Sequence, residues 1–197
     1  MTARWAVDAV APERDLDISW EPISLLFKND PAEDSEYYTA SLFSHKLLRV
    51  MESVKKAEGQ EAARRFYWQT GAVLHHDRDA GTVDVMEVVK GDATPFLEAA
   101  DLDPSYNDAF DDEAWDDVIR ERMQIGLDLV GTDVGTPILA FDSPKGRTGI
   151  FGPVISRVPP GEESLELWDA MAKLANMDGF WELKRTRTEG PIYPDRP

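Results

Sequence analysis

The stretch DVGTP, at positions 133–137, directly precedes the apolar run ILAF at positions 138–141. A short apolar run of this kind is typical of a strand. Proline lacks the backbone N–H that the interior of a strand donates, so it is expected only at a strand's first residue, on an edge or at a bulge. Pro137 therefore marks the place where a strand begins.

The segments after this strand predict a turn, a second strand and a helix. The turn DSPKGRTG leads to a second strand in GIFGPVIS, and the run GEESLELWDAMAKLA has the apolar spacing of a helix. The tail carries FWELKRTRTE and three further prolines. The predicted order is therefore strand, hairpin turn, strand and helix.

Two shorter patterns precede the central part of the chain. Ala3, Val7 and Val10 stand at helical spacing and predict a short helix that ends before Pro12. The segment LDISW, at positions 16–20, alternates apolar and polar residues with the period of two that is typical of a strand.

Residues 37–130 are predicted to form a block of about four helices. Apolar side chains recur at helical spacing from Phe43 to Val54 and from Trp115 to Val130, and further helical stretches lie near Gln60–His76 and Val83–Ala99. The polar or proline-bearing segments HDRDAGT and DLDPSYND separate them.

Composition limits the classes of function. The 197 residues carry 38 acidic and 21 basic side chains, a net charge of −17, which opposes binding to nucleic acid or to an anionic membrane. No apolar stretch reaches about 18 residues, and acids occur too early for a secretory signal, so we expect a cytoplasmic protein. Cysteine is absent, which excludes a cysteine nucleophile within this chain.

Three motifs that suggest a metal or phosphate site do not support one. His75, His76 and Asp77 are adjacent, and neighbouring helical residues point about 100° apart, too far to share one ion. DLDPSYND lacks the turn glycine of a calcium loop because Tyr106 stands there, and GRTGIFG lies within the predicted strand pair. We therefore expect no metal cofactor.

The ordered motifs DVGTP, FGPVISRVPPGEE, LWDA and FWELKRTRTE resemble the C-terminal half of the DsbA-like proteins of the thioredoxin superfamily, and especially the mycothiol-dependent nitroreductase group. The match extends more weakly upstream through Thr2, Arg4, Trp5, Asn29, Tyr67, Gly71 and His75. The resemblance implies an α/β, thioredoxin-like fold with an all-helical insertion. Residues 1–30 and 132–197 would form the two parts of the thioredoxin-like domain, and residues 31–131 the insertion.

The resemblance also implies a set of site residues. Thr136 and Pro137 would form a cis peptide that docks thiol and substrate, His75 would line the active site and assist proton transfer, and Asn29 and Tyr37 would flank the thiol site as hydrogen-bonding groups. Each residue also has a structural interpretation: a trans proline opening an edge strand, a histidine at a helix C-terminus, a turn asparagine and an interfacial tyrosine.

The activity implied is thiol-dependent oxidoreduction, in which mycothiol as cosubstrate reduces an electrophilic or nitro substrate. In the family, the segment resembling Thr2–Trp5 follows a first strand and a C-P-W-C type motif, whose first thiol gains reactivity from the start of a helix. Since neither is present here, we expect a truncated start with the first strand missing. The sheet edge left exposed would favour a homodimer.

Two other functions fit the same motifs. One is an enzyme similar to glutathione transferase kappa or hydroxychromene-carboxylate isomerase, in which a hydroxyl or thiol at the helix start activates or replaces the thiolate. The other is a redox-inactive protein that binds a thiol or a peptide in the remaining cleft. Absence of turnover with thiol and electron acceptor, together with stabilisation by a ligand, would distinguish the binding protein.

Overall fold

A computed structural model describes residues 1–78, 81, 83–144, 146–193 and 196. The fold is helix-rich with a small two-stranded antiparallel sheet, consistent with an α/β class. Two compact units are present. We call Met1–Ser19 with Ile125–Pro194 the hairpin unit, and Trp20–Gln124 with Asp195–Pro197 the helical unit.

The helical unit is built on one long helix. Its helices are α3 (Leu25–Asn29), α4 (Glu36–Glu58), α5 (Gln60–Gly71) with a π-helical continuation (Ala72–Asp77), α6 (Val85–Val88), α7 (Thr94–Ala99), a 3-10 turn (Pro104–Ala109) and α8 (Trp115–Val130), the last of which continues past Gln124. Ser35 caps α4 by accepting from the Tyr38 N–H at 3.1 Å, and Gly59, at φ 89°, ends it. That left-handed backbone favours glycine.

An apolar core of buried residues lies in this unit. Phe43 of α4 lies 6.3 Å from Phe96 and 5.9 Å from Phe110, measured between ring centroids. Other buried members are Leu47, Val50, Met51, Val54, Ala62, Ala63, Phe66, Ala93, Leu97, Ala100, Leu102 and Ala109. The stripe predicted from the spacing of Phe43 to Val54 is therefore the core-facing side of α4.

In the hairpin unit, β1 (Ile138–Ser143) pairs antiparallel with β2 (Gly146–Phe151), in a register that places Ile138 opposite Phe151 and Ser143 opposite Gly146. The predicted hairpin is thus confirmed, although β2 begins inside the segment expected to be a turn. Lys145, part of that turn, lies outside the described residues.

Trp5 anchors the rest of the hairpin unit. It is fully buried, its ring centroid lies 5.7 Å from that of Trp168, and its Nε1 donates to the Ser164 carbonyl at 3.1 Å. Trp168 belongs to α9 (Glu162–Ala175), the predicted last helix, and also contacts Phe141 of β1 at 5.3 Å. The N-terminal helical stretch, α9 and the hairpin thus share these aromatic contacts.

The expected strand in LDISW is wrong. Residues 16–24 have no regular secondary structure. At Trp20, the backbone N–H donates to Gln60 Oε1 at 2.9 Å, and the carbonyl accepts from Lys55 Nζ. Since side chains satisfy these backbone groups, the segment needs no neighbouring strand there.

Other predicted helix limits also need correction. The N-terminal helix does not end before Pro12: α1 (Thr2–Arg4) continues through a π-helical turn (Trp5–Val10) into α2 (Ala11–Arg14). The π turn places Pro12 in the first turn of a new α segment, where a missing N–H costs little.

The predicted single helix near Val83–Ala99 is divided into α6 and α7, and the break DLDPSYND contains the 3-10 turn. Ala93 and Asp92 lie between the two helices, and the Ala93 N–H donates to Asn107 Oδ1 at 2.9 Å. The segment HDRDAGT includes Asp79, Ala80 and Thr82, which lie outside the described residues. In the described part of the chain, no helix is both long enough and apolar enough to cross a membrane.

Candidate functional site

Asn29 and Tyr37, both inferred from the resemblance, meet in the helical unit. Asn29 ends α3, and Tyr37 lies in the first turn of α4. The Asn29 amide Nδ2 donates a hydrogen bond of 2.9 Å to Tyr37 Oη. Both side chains are exposed, Tyr37 by 48%. An amide and a hydroxyl joined in this way keep further capacity to donate to and accept from a polar ligand.

Local sequence brings the two helix ends together. Asp30, in the left-handed region at φ 42°, ends α3, and Pro31 follows it. Aspartate tolerates this conformation better than most side chains, and proline does not continue a helix. Ser35 then starts α4 as its N-cap. The short segment KNDPAEDS therefore reverses the chain and sets Asn29 beside Tyr37.

A buried histidine holds the base of α3. His45 of α4 is 1% exposed, and its Nδ1 lies 2.9 Å from the Oγ of Ser24, which is 0% exposed and is the N-cap of α3. His45 Nε2 lies 2.9 Å from Asp116 Oδ1. Sequence patterns did not identify His45. The one local signal that points towards this contact is Ser24, a serine at a helix start, before the apolar run Leu25–Phe27.

The charges around His45 define its protonation. Arg49 donates to both carboxylate oxygens of Asp116, at 2.6 Å and 2.9 Å. Burial opposes ionisation of Asp116, but the hydrogen bonds from Arg49 and His45 lower its pKa below the ordinary value. Burial also lowers the pKa of His45, and this outweighs the hydrogen bond to Asp116. His45 is therefore neutral near pH 7, with Nε2 donating to the carboxylate and Nδ1 accepting from Ser24.

A second charged cluster lies further along α4. Glu52 is 1% exposed, and its Oε2 accepts from Arg122 Nε at 2.9 Å. Its Oε1 lies 3.8 Å from Lys55 Nζ, beyond hydrogen-bond distance, and Lys55 pairs with Glu21 at 3.0 Å. Burial raises the pKa of Glu52, although Lys55 and Arg122 both act against the shift.

His75, predicted as a catalytic residue, lies in the π-helical continuation of α5 and is exposed. Two turns earlier, Tyr67 packs against Trp20 at 5.4 Å and against Trp68 at 5.7 Å, measured between ring centroids. These rings form an aromatic cluster on the helical unit, with Tyr67 itself 44% exposed. Through this cluster, α5, the helix that continues to His75, packs against Trp20.

Thr136 and Pro137 belong to the hairpin unit. Their peptide bond is cis, Thr136 is exposed, and the Pro137 carbonyl accepts from the Gly152 N–H at 2.8 Å. Pro137 directly precedes Ile138, the first residue of β1. The missing N–H therefore falls outside the ladder, as the sequence predicted, while the carbonyl still extends the pairing by one bond.

Of the predicted site residues, Asn29 and Tyr37 are joined by a hydrogen bond. His75 lies in the π-helical continuation of α5, and Thr136 and Pro137 directly precede β1. Within the described ranges, no group of three or more His, Cys, Asp or Glu side chains is arranged to hold a metal ion. The chemistry available consists of hydrogen-bonding amide, hydroxyl and imidazole groups.

Comparison with known families identifies the class as thiol-dependent oxidoreductases. The family model described as "Rv2466c-like: Mycothiol-dependent nitroreductase Rv2466c" matches residues 1–185, and the chain belongs to this family. The resemblance to mycothiol-dependent nitroreductases is therefore confirmed at the level of the family. The thioredoxin-like fold and the roles of individual site residues stay predictions.

Proposed function

We propose that this chain takes part in mycothiol-dependent reduction of a nitro or similarly electrophilic small molecule. The observation that carries the proposal is the family match, which spans residues 1–185. The cysteine-free sequence offers hydrogen-bonding groups and no thiol of its own. We assign these residues the tasks of binding mycothiol and substrate and of handling protons.

The proposed fold is thioredoxin-like with a helical insertion at residues 31–131, in a cytoplasmic protein. Its support is the chain order: the hairpin unit is formed by residues from both ends of the chain, and the helical unit interrupts it. Such a discontinuous unit is the arrangement expected when a helical domain is inserted into a smaller α/β fold.

In the proposed assignment of roles, Asn29 and Tyr37 of the helical unit bind mycothiol. Mycothiol carries hydroxyl and amide groups, which an exposed amide–hydroxyl pair can recognise by donating and accepting at once. In the hairpin unit, Thr136 and Pro137 are assigned the docking of thiol and substrate. In the helical unit, His75 is assigned the proton transfer. The exposure of Asn29, Tyr37, His75 and Thr136 supports these roles because each can be reached by a ligand.

The proposed reaction is the two-electron reduction of a nitro group. Two thiols are oxidised to one disulfide, the nitro group loses one oxygen to become a nitroso group, and that oxygen leaves as water with the two thiol protons. Desolvation lowers the pKa of His75 below its ordinary value, so its neutral imidazole can take a thiol proton and pass it to the departing oxygen.

The test is turnover by the purified chain with mycothiol and a nitroaromatic probe. Loss of nitro absorbance together with one mycothiol disulfide for each nitro group reduced to nitroso is the expected result. Tyr37→Phe removes the hydroxyl and should raise the KM for mycothiol, while Tyr38→Phe, a change in the adjacent and partly buried tyrosine, is the matched control.

A second candidate is a redox-inactive protein that binds mycothiol. The absence of cysteine from the sequence favours it because no protein thiol is available to exchange with a disulfide. A rise in melting temperature with mycothiol, combined with no disulfide formation, would select this function over catalysis. If mycothiol produces no turnover and no shift in melting temperature, both functions are rejected.

A further inference from the structure

The helix that presents Asn29 is too short to hold itself. α3 has five residues, Leu25–Asn29, and isolated helices below about 12 residues are marginal in water. Its placement must therefore come from contacts outside the helix. Besides the Asn29–Tyr37 bond itself, the described contacts of α3 include one at Ser24 and one at Phe27, and both of these involve His45.

The first contact is the bond between Ser24 and His45. Ser24 Oγ accepts from the Phe27 N–H at 3.2 Å and thereby caps α3. The same oxygen lies 2.9 Å from His45 Nδ1. Asp116, ionised, can only accept, so His45 Nε2 must donate to it, and Nδ1 of the neutral ring is left to accept the Ser24 hydroxyl hydrogen. Each polar atom in this chain of bonds has a defined role.

The second contact is the ring of Phe27. The Phe27 ring centroid lies 4.3 Å from that of His45, and the guanidinium carbon of Arg120 lies 3.5 Å from the same Phe27 centroid. Phe27 thus contacts an α4 side chain and an α8 side chain at once. Since Phe27 is the third residue of α3, this contact fixes the orientation of the helix as well as its start.

We infer that His45 is a positioning residue for the Asn29–Tyr37 pair. Tyr37 and His45 stand on the same helix, α4, so a helix docked on His45 places its own last residue, Asn29, at a fixed distance from Tyr37. His45 is buried and acts through Ser24 and Phe27. The inference rests on the proposed function, because only that function assigns mycothiol to the pair.

Two substitutions separate the two nitrogens of His45. In His45→Asn, the side-chain amide can occupy the position of Nδ1 and accept from Ser24, while the bond to Asp116 is lost. In His45→Gln, the longer amide can donate to Asp116 in the position of Nε2, while the bond to Ser24 is lost. If His45 positions α3 through Ser24, then His45→Gln is the harmful change and His45→Asn partly restores the wild-type behaviour.

The readouts are backbone hydrogen exchange and mycothiol affinity. In His45→Gln, amides of residues 25–30 should exchange about threefold to tenfold faster, the factor expected for loss of one hydrogen bond, while amides of α9 in the hairpin unit keep their wild-type rates. The KM for mycothiol should rise by a similar factor with kcat unchanged. In His45→Asn, both effects should be smaller.

Ser24→Ala provides a second route if His45→Gln fails to fold. It removes the hydroxyl from the same bond, so its effect and that of His45→Gln should not add in the double variant. Equal exchange in residues 25–30 of wild type and both single variants would overturn the inference, and so would additive effects.

Asn29→Ala distinguishes failure of the inference from failure of the proposed function. If Asn29→Ala weakens mycothiol binding while His45→Gln leaves α3 and the affinity unchanged, the positioning role of His45 is wrong. If His45→Gln loosens α3 but Asn29→Ala leaves the affinity unchanged, His45 holds the helix, and the assignment of mycothiol to Asn29 is what fails.

Discussion

Gly149→Ala should destabilise the hairpin unit, because β2 approaches the end of α8 too closely for a side chain. A Cβ at Gly149 would lie 2.7 Å from Leu129 Cβ and 3.0 Å from Val130 Cγ1. The Leu129 atom is attached directly to the helix backbone, so rotation of a side chain does not relieve the contact. The strand or the helix must move by about 0.7 Å to restore ordinary contact at 3.4 Å.

The magnitude follows from two opposing effects. Overpacking of a filled site costs about 1–3 kcal/mol. Replacing glycine by alanine also reduces the freedom of the unfolded chain, which returns about 0.4–1 kcal/mol. We expect a net loss of about 1–2 kcal/mol in the free energy of unfolding, equivalent to a melting temperature about 2–8 °C lower for a chain of this size.

The assay is urea denaturation followed by tryptophan fluorescence, with Gly126→Ala as the matched control. Gly126 lies in α8, and its Cβ would meet only Ile138 Cδ1, at 3.7 Å, an ordinary contact. Alanine there should keep or increase the stability, since it is the better helix former. Equal stability of Gly149→Ala and wild type would refute the close packing of β2 on α8.

Three further predictions concern buried groups. Burial keeps the pKa of His45 below 6.5, so its contribution to stability is complete above that pH and is lost as the pH falls towards the lowered value. Denaturation midpoints measured from pH 8 to pH 5 should therefore decline less in His45→Asn than in wild type. Parallel curves for the two proteins would contradict this. The raised pKa of Glu52 affects stability in the opposite direction: its contribution is present below pH 4.5 and is lost as the pH rises. The Glu52→Gln variant should therefore gain stability relative to wild type between pH 4.5 and 8. A difference in denaturation midpoint that stays constant over this pH range would contradict the prediction. Trp5→Phe removes the donor to the Ser164 carbonyl from a fully buried site and should cost about 1–3 kcal/mol in urea denaturation, against less than about 0.5 kcal/mol if Trp5 is only a surface contact.

Local patterns predicted those elements whose signals are local. The spacing of Phe43 to Val54, the apolar run ILAF and the helix of GEESLELWDAMAKLA all correspond to observed elements. LDISW failed because alternation states only that one face is apolar, while a strand also requires a paired neighbour. The groups that satisfy Trp20 instead, Gln60 and Lys55, lie 40 and 35 residues away along the chain. No local pattern contains that information.

The candidate site was likewise predicted only in part. The resemblance pointed to Asn29 and Tyr37, and the structure joins them, but the residue that we infer positions them, His45, was missed. On a helix, His45 points about 160° from Phe43, away from the predicted apolar stripe. A polar residue there is ordinarily on the solvated face. It is buried because α8 and the segment around Ser24 cover this side of α4 as well.

That covered side carries a second stripe at helical spacing, and its members are polar: Ser41, His45, Arg49, Glu52 and Lys55. Replacing such buried pairs by apolar residues is often neutral or stabilising, so the stripe is weak evidence for stability. Its charges are nevertheless ordered along α8, with Asp116 on Arg49 and Arg122 on Glu52. Sliding α8 by one turn towards its own N-terminus would set Arg120 against the buried Arg49, a like-charge contact, and a slide by one turn in either direction would take Arg122 away from Glu52. We therefore interpret the stripe as fixing the register of α8 on α4, and with it the position of Asp116, to which His45 is bonded.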